Sequence, residues 1–142
     1  MNPVEALNGL HEKEGAQFGF FDRLAVVDRY SKGIEQELRY LQKSSGLFDR
    51  KAWLLLELNG ADAKNFLQGM VSADLEKIDI NQIQPAIICQ SKGKIQHILE
   101  IWRTSQHGWV ISNYPGEGFQ VANLLNKFHI HENFKFQLLT PT

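Results

Sequence analysis

Cysteine is almost absent from this sequence: Cys89 stands alone, which excludes an internal disulfide and any metal or iron–sulfur site built from several cysteines of one chain. An excess of charge of either sign is missing too, with 15 Lys and Arg against 16 Asp and Glu and no basic block. That balance lacks the electrostatic footprint of general nucleic-acid or anionic-membrane binding, so neither partner is expected. No apolar run approaches the roughly 20 residues of a membrane-spanning helix. Residues 1–9 have neither the basic opening nor the apolar stretch of a signal peptide, so a soluble protein with a cytoplasmic address is the expectation. The phosphate-loop spacing, the dinucleotide fingerprint and any internal repeat are also missing.

What is present is a chain of 142 residues, 43% hydrophobic and 22% charged, long enough to bury a core as a single domain spanning 1–142. The stretch Gly60-Ala61-Asp62-Ala63-Lys64-Asn65-Phe66-Leu67-Gln68-Gly69-Met70-Val71-Ser72-Ala73-Asp74-Leu75 organises it. The most apolar run, residues 53–58, lies just before, and Asn59-Gly60 is a turn signal. Asp62 can cap a helix on which Ala63, Phe66, Leu67 and Met70 recur on one face. Strand, tight turn and short helix follow.

Elsewhere, residues 1–15 carry a weak helical pattern and are expected to form a short helix or a partly ordered arm. Residues 16–30 read as a short strand or hairpin. Ser31 is a plausible cap for a helix over about 32–43, with Ile34, Leu38 and Leu41 on one face and Glu35, Glu37, Arg39 and Lys43 on the other. Strands are expected over 51–58, 83–89, 95–102, 109–113 and 134–139, and a helix from Phe119 to about Lys127. Pro85 suits a strand start or edge. Ser91-Lys92-Gly93-Lys94 reads as a hairpin turn. The fold class is α+β, a mainly antiparallel sheet with three or four helices and no βαβ rhythm.

The residues alone name no reaction. His129-Ile130-His131 would place two imidazoles on one side of an extended segment, but zinc needs three or four ligands, so a solvated strand end is expected and no metal. Cys89 follows an apolar run and reads as a buried structural cysteine, with thiol activation by Lys92 as the alternative. His97 on its own reads as an exposed strand residue beside a hairpin. The carboxylate pairs Glu12/Glu14, Glu35/Glu37 and Asp74/Glu76 read as solvated faces.

Taken together, Gly46-Leu47-Phe48-Asp49, then Leu58-Asn59-Gly60-Ala61-Asp62-Ala63 with Phe66-Leu67-Gln68-Gly69 and Val71-Ser72-Ala73-Asp74, then Lys92-Gly93-Lys94-Ile95 entering a strand, form an ordered set. That set resembles the N-terminal half of the glycine cleavage T-protein (aminomethyltransferase) superfamily and its YgfZ-like folate-binding branch. The resemblance implies a tetrahydrofolate-binding domain tied to one-carbon metabolism or, through that branch, to iron–sulfur cluster maintenance. It places a catalytic Asp of the transferases at His97, so no catalytic residue is assigned and transfer activity is not expected. It implies ligand-binding roles for His97, Asn113, Gln84, Ser91 and Lys92. The alternative is a non-enzymatic interaction or scaffold domain that kept the fold and lost the folate pocket.

Full-length members of that superfamily are about twice this size or more, and their second half grips the pterin. The N-terminal domain of the TrmE-type tRNA-modification GTPase is similar to this half-size version and dimerises to form folate pockets. A homodimer, or a partner chain supplying the second half, is therefore the expected assembly.

Overall fold

The apolar run after Trp53 forms strand β3 (Leu54–Asn59), and its alternation buries Leu54, Leu56 and Leu58 on one side. The chain then turns at Gly60 into helix α3 (Ala63–Met70), which buries Ala63, Phe66 and Leu67. The computed structural model describes residues 3–21, 24–116 and 118–139. Contacts divide the chain into two units, Met1–Ala52 and Trp53–Thr140.

In the first unit, helix α1 (Pro3–Lys13) leads into the antiparallel hairpin of β1 (Ala16–Phe21) and β2 (Leu24–Tyr30), and helix α2 (Ile34–Lys43) follows. Ser31 does not cap α2. Gly33 occupies that position with φ 81°, and no side chain bonds the free amides.

In the second unit, β4 (Ile83–Cys89), β5 (Ile95–Arg103), β6 (Gly108–Asn113), β3 and β7 (Lys135–Leu138) form a five-stranded antiparallel sheet in the order β4-β5-β6-β3-β7. Pro85 lies on the edge strand β4, where a missing amide does least harm. Helix α3 and helix α4 (Gly118–Phe128) supply Phe66, Leu67, Val121 and Leu125 to one core with Leu56, Leu58, Leu99, Ile101, Trp109 and Ile111 of the sheet. The α+β class, with a mainly antiparallel sheet and four α-helices among the described residues, agrees with the sequence reading.

The turn at Gly60 fixes how β3 and α3 meet β7. A side chain there would collide with the carbonyl oxygen of Asn133 and with Phe134, whose Cβ would be 2.6 Å away. Asp62 stands at the N-cap of α3 but does not cap it; its carboxylate accepts the amide of Asn133 at 2.7 Å instead. The carbonyl of Asn133 in turn accepts the Asp62 amide at 3.4 Å. Gly69 on the same helix has nothing within 4 Å of where a Cβ would go.

These two glycines predict opposite outcomes. Gly60→Ala should destabilise the protein by about 2 kcal/mol or more, because the two nearest colliding atoms are backbone. Gly69→Ala should stabilise it by roughly 0.5–1 kcal/mol through helix propensity. Urea midpoints moving in opposite directions are the expected result; an unchanged midpoint for Gly60→Ala would show that the turn tolerates a side chain.

Candidate functional site

The register of the sheet decides which candidate residues meet. Ile88 of β4 pairs with His97 of β5, Ala86 with Leu99, and Leu99 with Asn113 of β6, which also pairs with Leu54 of β3. Directly paired residues share a face, so His97 and Asn113 lie on the core face, at the end where β5 begins and β6 stops. His97 is 4% exposed and Asn113 0%. His97 is therefore not the exposed strand residue its surroundings in sequence suggest: it shares the inward parity of Leu99 and Ile101.

The Asn113 amide reaches past the last paired position of the β5–β6 ladder and donates from Nδ2 to the carbonyl of Ile98 at 2.7 Å. Its Oδ1 is buried and has no hydrogen-bond partner among the described residues. A buried amide oxygen left open is an acceptor aimed at whatever donor comes within reach. Beside it, Tyr114 is half-exposed and stacks on Trp53 at 4.4 Å.

Ser91 and Lys92 sit on the β4–β5 turn at this same end, both exposed. The turn closes with Gln90 donating to Lys94 and Gly93 to Gln90, each at 2.8 Å, with Gly93 at φ 75°. Gln84 is elsewhere. It pairs with Ile101, four residues along β4 from the partner of His97, or about 13 Å at the rise of a strand. The fold thus gathers His97, Asn113, Ser91 and Lys92 at one end of the sheet and sets Gln84 near the other.

The motif residues of the α3 region are engaged in local hydrogen bonds. Gln68 bonds the carbonyl of Ala73 at 3.0 Å and the amide of Leu75 at 2.8 Å, folding the helix exit back on itself. Ser72 bonds both backbone groups of Ile87, each at 3.0 Å. Asp74 accepts the amide of Glu76 at 3.2 Å to start a short 3₁₀ turn (Leu75–Lys77). Its hydrogen bond with the Lys77 ammonium, with the same amide, holds its carboxyl below the usual carboxylate range.

Two other expectations change. Cys89 is exposed, because Ala86 and Ile88 take the inward positions of β4 and strand alternation turns the next residue to the other face. His129 is no strand end: it follows α4, bonds the carbonyl of Glu132 at 2.9 Å and stacks on Phe134 at 4.3 Å, beside Phe66 and Phe136.

Sequence reasoning missed a polar cluster in the first unit. Tyr30 hydroxyl meets His11 Nδ1 at 2.7 Å, His11 Nε2 meets Asp49 at 3.2 Å, and Lys51 Nζ lies 3.5 Å from the same Asp49 oxygen and bonds Asn8. Those partners assign neutral His11 the tautomer with its proton on Nε2. Burial, reinforced by Glu37, Asp49 and Glu14, pushes the Tyr30 phenol above its ordinary value. The signal available was Asp49 in Gly46-Leu47-Phe48-Asp49, whose partners lie 38 and two residues away.

Comparison with known proteins places this geometry. The model of the GCVT N-terminal domain family matches residues 7–140. The mitochondrial aminomethyltransferase of Dictyostelium discoideum is 28% identical over 138 residues, 96% of this chain and 33% of that protein. The aminomethyltransferase of Prosthecochloris aestuarii is 34% identical over 104 residues, 73% of this chain and 28% of that protein. Glycine cleavage system aminomethyltransferase T from Bartonella henselae shares the fold, with a TM-score of 0.79 at 24% identity over 94% of this chain and 37% of that one. The chain spans about a third of the length of these relatives. Among the described residues, no helix is long and apolar enough to cross a membrane.

The Tyr30 shift carries a sign. The folded state holds the phenol proton above the ordinary value, so the unfolded chain ionises first as pH rises. The stability this provides is intact below about pH 10 and is lost as pH climbs from there through the folded value. Unfolding free energy measured against pH should fall in that alkaline window for the wild type and fall less for Tyr30→Phe. An identical decline in both would remove Tyr30 as its cause.

Proposed function

This chain belongs to the family of GCVT N-terminal domains, and from that premise we propose that residues 1–142 act as one tetrahydrofolate-binding domain of the aminomethyltransferase type, without the transfer chemistry itself. The observation behind the proposal is Asn113, whose buried Oδ1 is an open acceptor on the same sheet face and at the same end as His97. A reduced pterin presents ring N–H and amino donors, which an amide oxygen accepts. The exposed ammonium of Lys92 and the hydroxyl of Ser91 on the adjoining turn suit the carboxylates of the folate tail. The residues present therefore fit the ligand, with Asn113 and His97 holding the ring and the turn meeting the tail; Gln84 falls outside this set.

Bound tetrahydrofolate would supply the nitrogens that carry a one-carbon unit. What this chain lacks is a carboxylate at position 97: imidazole, neutral or cationic, cannot provide the fixed negative charge that a catalytic Asp would bring there. The Lys92-Gly93-Lys94 turn supports the YgfZ-like branch, and with it a cytoplasmic role in the upkeep of iron–sulfur proteins. The chain spans about a third of the length of its relatives, and association of two copies is part of this reading.

A second reading has its own support. His97 and Asn113 are almost wholly covered, as they would be in an interaction domain that kept the fold and lost the pocket. Calorimetric titration with 5-formyltetrahydrofolate separates the two. Ligand at 100 times its dissociation constant should stabilise the fold by about 2.7 kcal/mol. His97→Ala and the exposed Lys92→Ala should each weaken binding while circular dichroism stays native. No stabilisation at millimolar ligand would favour the interaction domain, and unchanged affinity in His97→Ala would remove that residue from the site.

A further inference from the structure

Helix α2 has ten residues, and none of them is buried. A helix this short is marginal in water and normally owes its existence to packing an apolar face. Its apolar face is open: Ile34 is 57% exposed, Leu38 54% and Leu41 54%. At Gly46 the chain passes directly against Leu41, and Leu47 and Phe48, both largely exposed, follow at once. The only side-chain tie from α2 to the preceding strand among the described residues is Glu37, which accepts the amide of Tyr30 at 2.9 Å.

We propose that this stripe is the contact surface for a second copy of the same chain, with the two α2 helices packed antiparallel about a twofold axis near Leu38. The inference rests on the self-association in the functional reading above and adds the surface that carries it. Two features favour a copy over an unrelated partner. The first is area: five such side chains at roughly 100 Å² each give about 500 Å² per copy, so the pair reaches the ~1,000 Å² a specific interface needs. The second is charge. Glu35 and Arg39 lie on one flank of the stripe, one turn apart. A twofold antiparallel pairing sets Glu35 of each copy across from Arg39 of the other, so a single flank meets its own complement twice.

The edge of the sheet in the second unit is a poorer route to self-association. On β4, Pro85 has no amide to offer, and Ser72 already occupies both backbone groups of Ile87.

Sedimentation velocity on the full chain tests the proposal. The wild type should be a concentration-dependent dimer, and Leu38→Asp should be a monomer with a native circular dichroism spectrum, since that side chain is exposed within one copy. Glu35→Arg and Arg39→Glu should each weaken the dimer several-fold, and the double variant should restore it. A strictly monomeric wild type, or a dimer indifferent to Leu38→Asp, would overturn the proposal. So would a wild-type monomer that instead binds the separately expressed remainder of an aminomethyltransferase through Leu38. Folate titration of the same proteins is read independently: a monomer that binds folate removes the interface alone, and a dimer that binds none removes the folate reading alone.

Discussion

The second unit depends on one close approach, where the backbone at Gly60 lies directly against Asn133 and Phe134. Sequence places these residues more than seventy positions apart, so the contact closes the whole unit, joining the β3–α3 turn to the entry of β7. Asp62 locks it by accepting the Asn133 amide. Phe134 then reaches Phe66 at 4.9 Å and His129 at 4.3 Å, so the same junction packs α3 against the end of α4. Glycine is needed there for room, and an aspartate for an acceptor with short reach. Together these two requirements explain the turn-plus-helix signature in structural terms.

Local pattern made most of this readable. The apolar run 53–58 and the helical recurrence of Ala63, Phe66 and Leu67 are local signals, so the helix start was placed to within a residue, while the strand was expected from 51 and begins at Leu54. Capping was less legible. Ser31 and Asp62 are good cap residues, yet Gly33 stands at the first site and Asp62 turns to a partner 71 residues away. Composition cannot say which of two competing acceptors a backbone amide will find.

The site was half legible for a related reason. Asn113 and His97 are brought to one end of the sheet by register, and register is set by pairings that no single strand contains. A one-residue slip would have left His97 in solvent, as its polar neighbours Gln96 and Lys94 suggest. Cys89 erred in the opposite direction: an apolar run before it implied burial, but Ala86 and Ile88 already occupy the inward positions of β4. The His11, Tyr30, Asp49 and Lys51 cluster left only Asp49 of Gly46-Leu47-Phe48-Asp49 as a trace, because its members are ordinary polar residues until α1, β2 and the segment after α2 converge.

Burial also bears on why position 97 holds an imidazole. A carboxylate there would stand opposite Ile88 and one strand position from Leu99, both almost wholly covered, and its charged form would need a permanent partner to offset desolvation. Such a cost is reasonable where the charge is used in a reaction. An imidazole fills the same position without bringing a fixed negative charge. Asn113 faces no such pressure, since its Nδ2 bond to Ile98 closes the ladder whether or not Oδ1 meets a ligand. At both positions burial constrains which polar side chain the sheet tolerates, through desolvation at 97 and through the ladder-closing bond at 113.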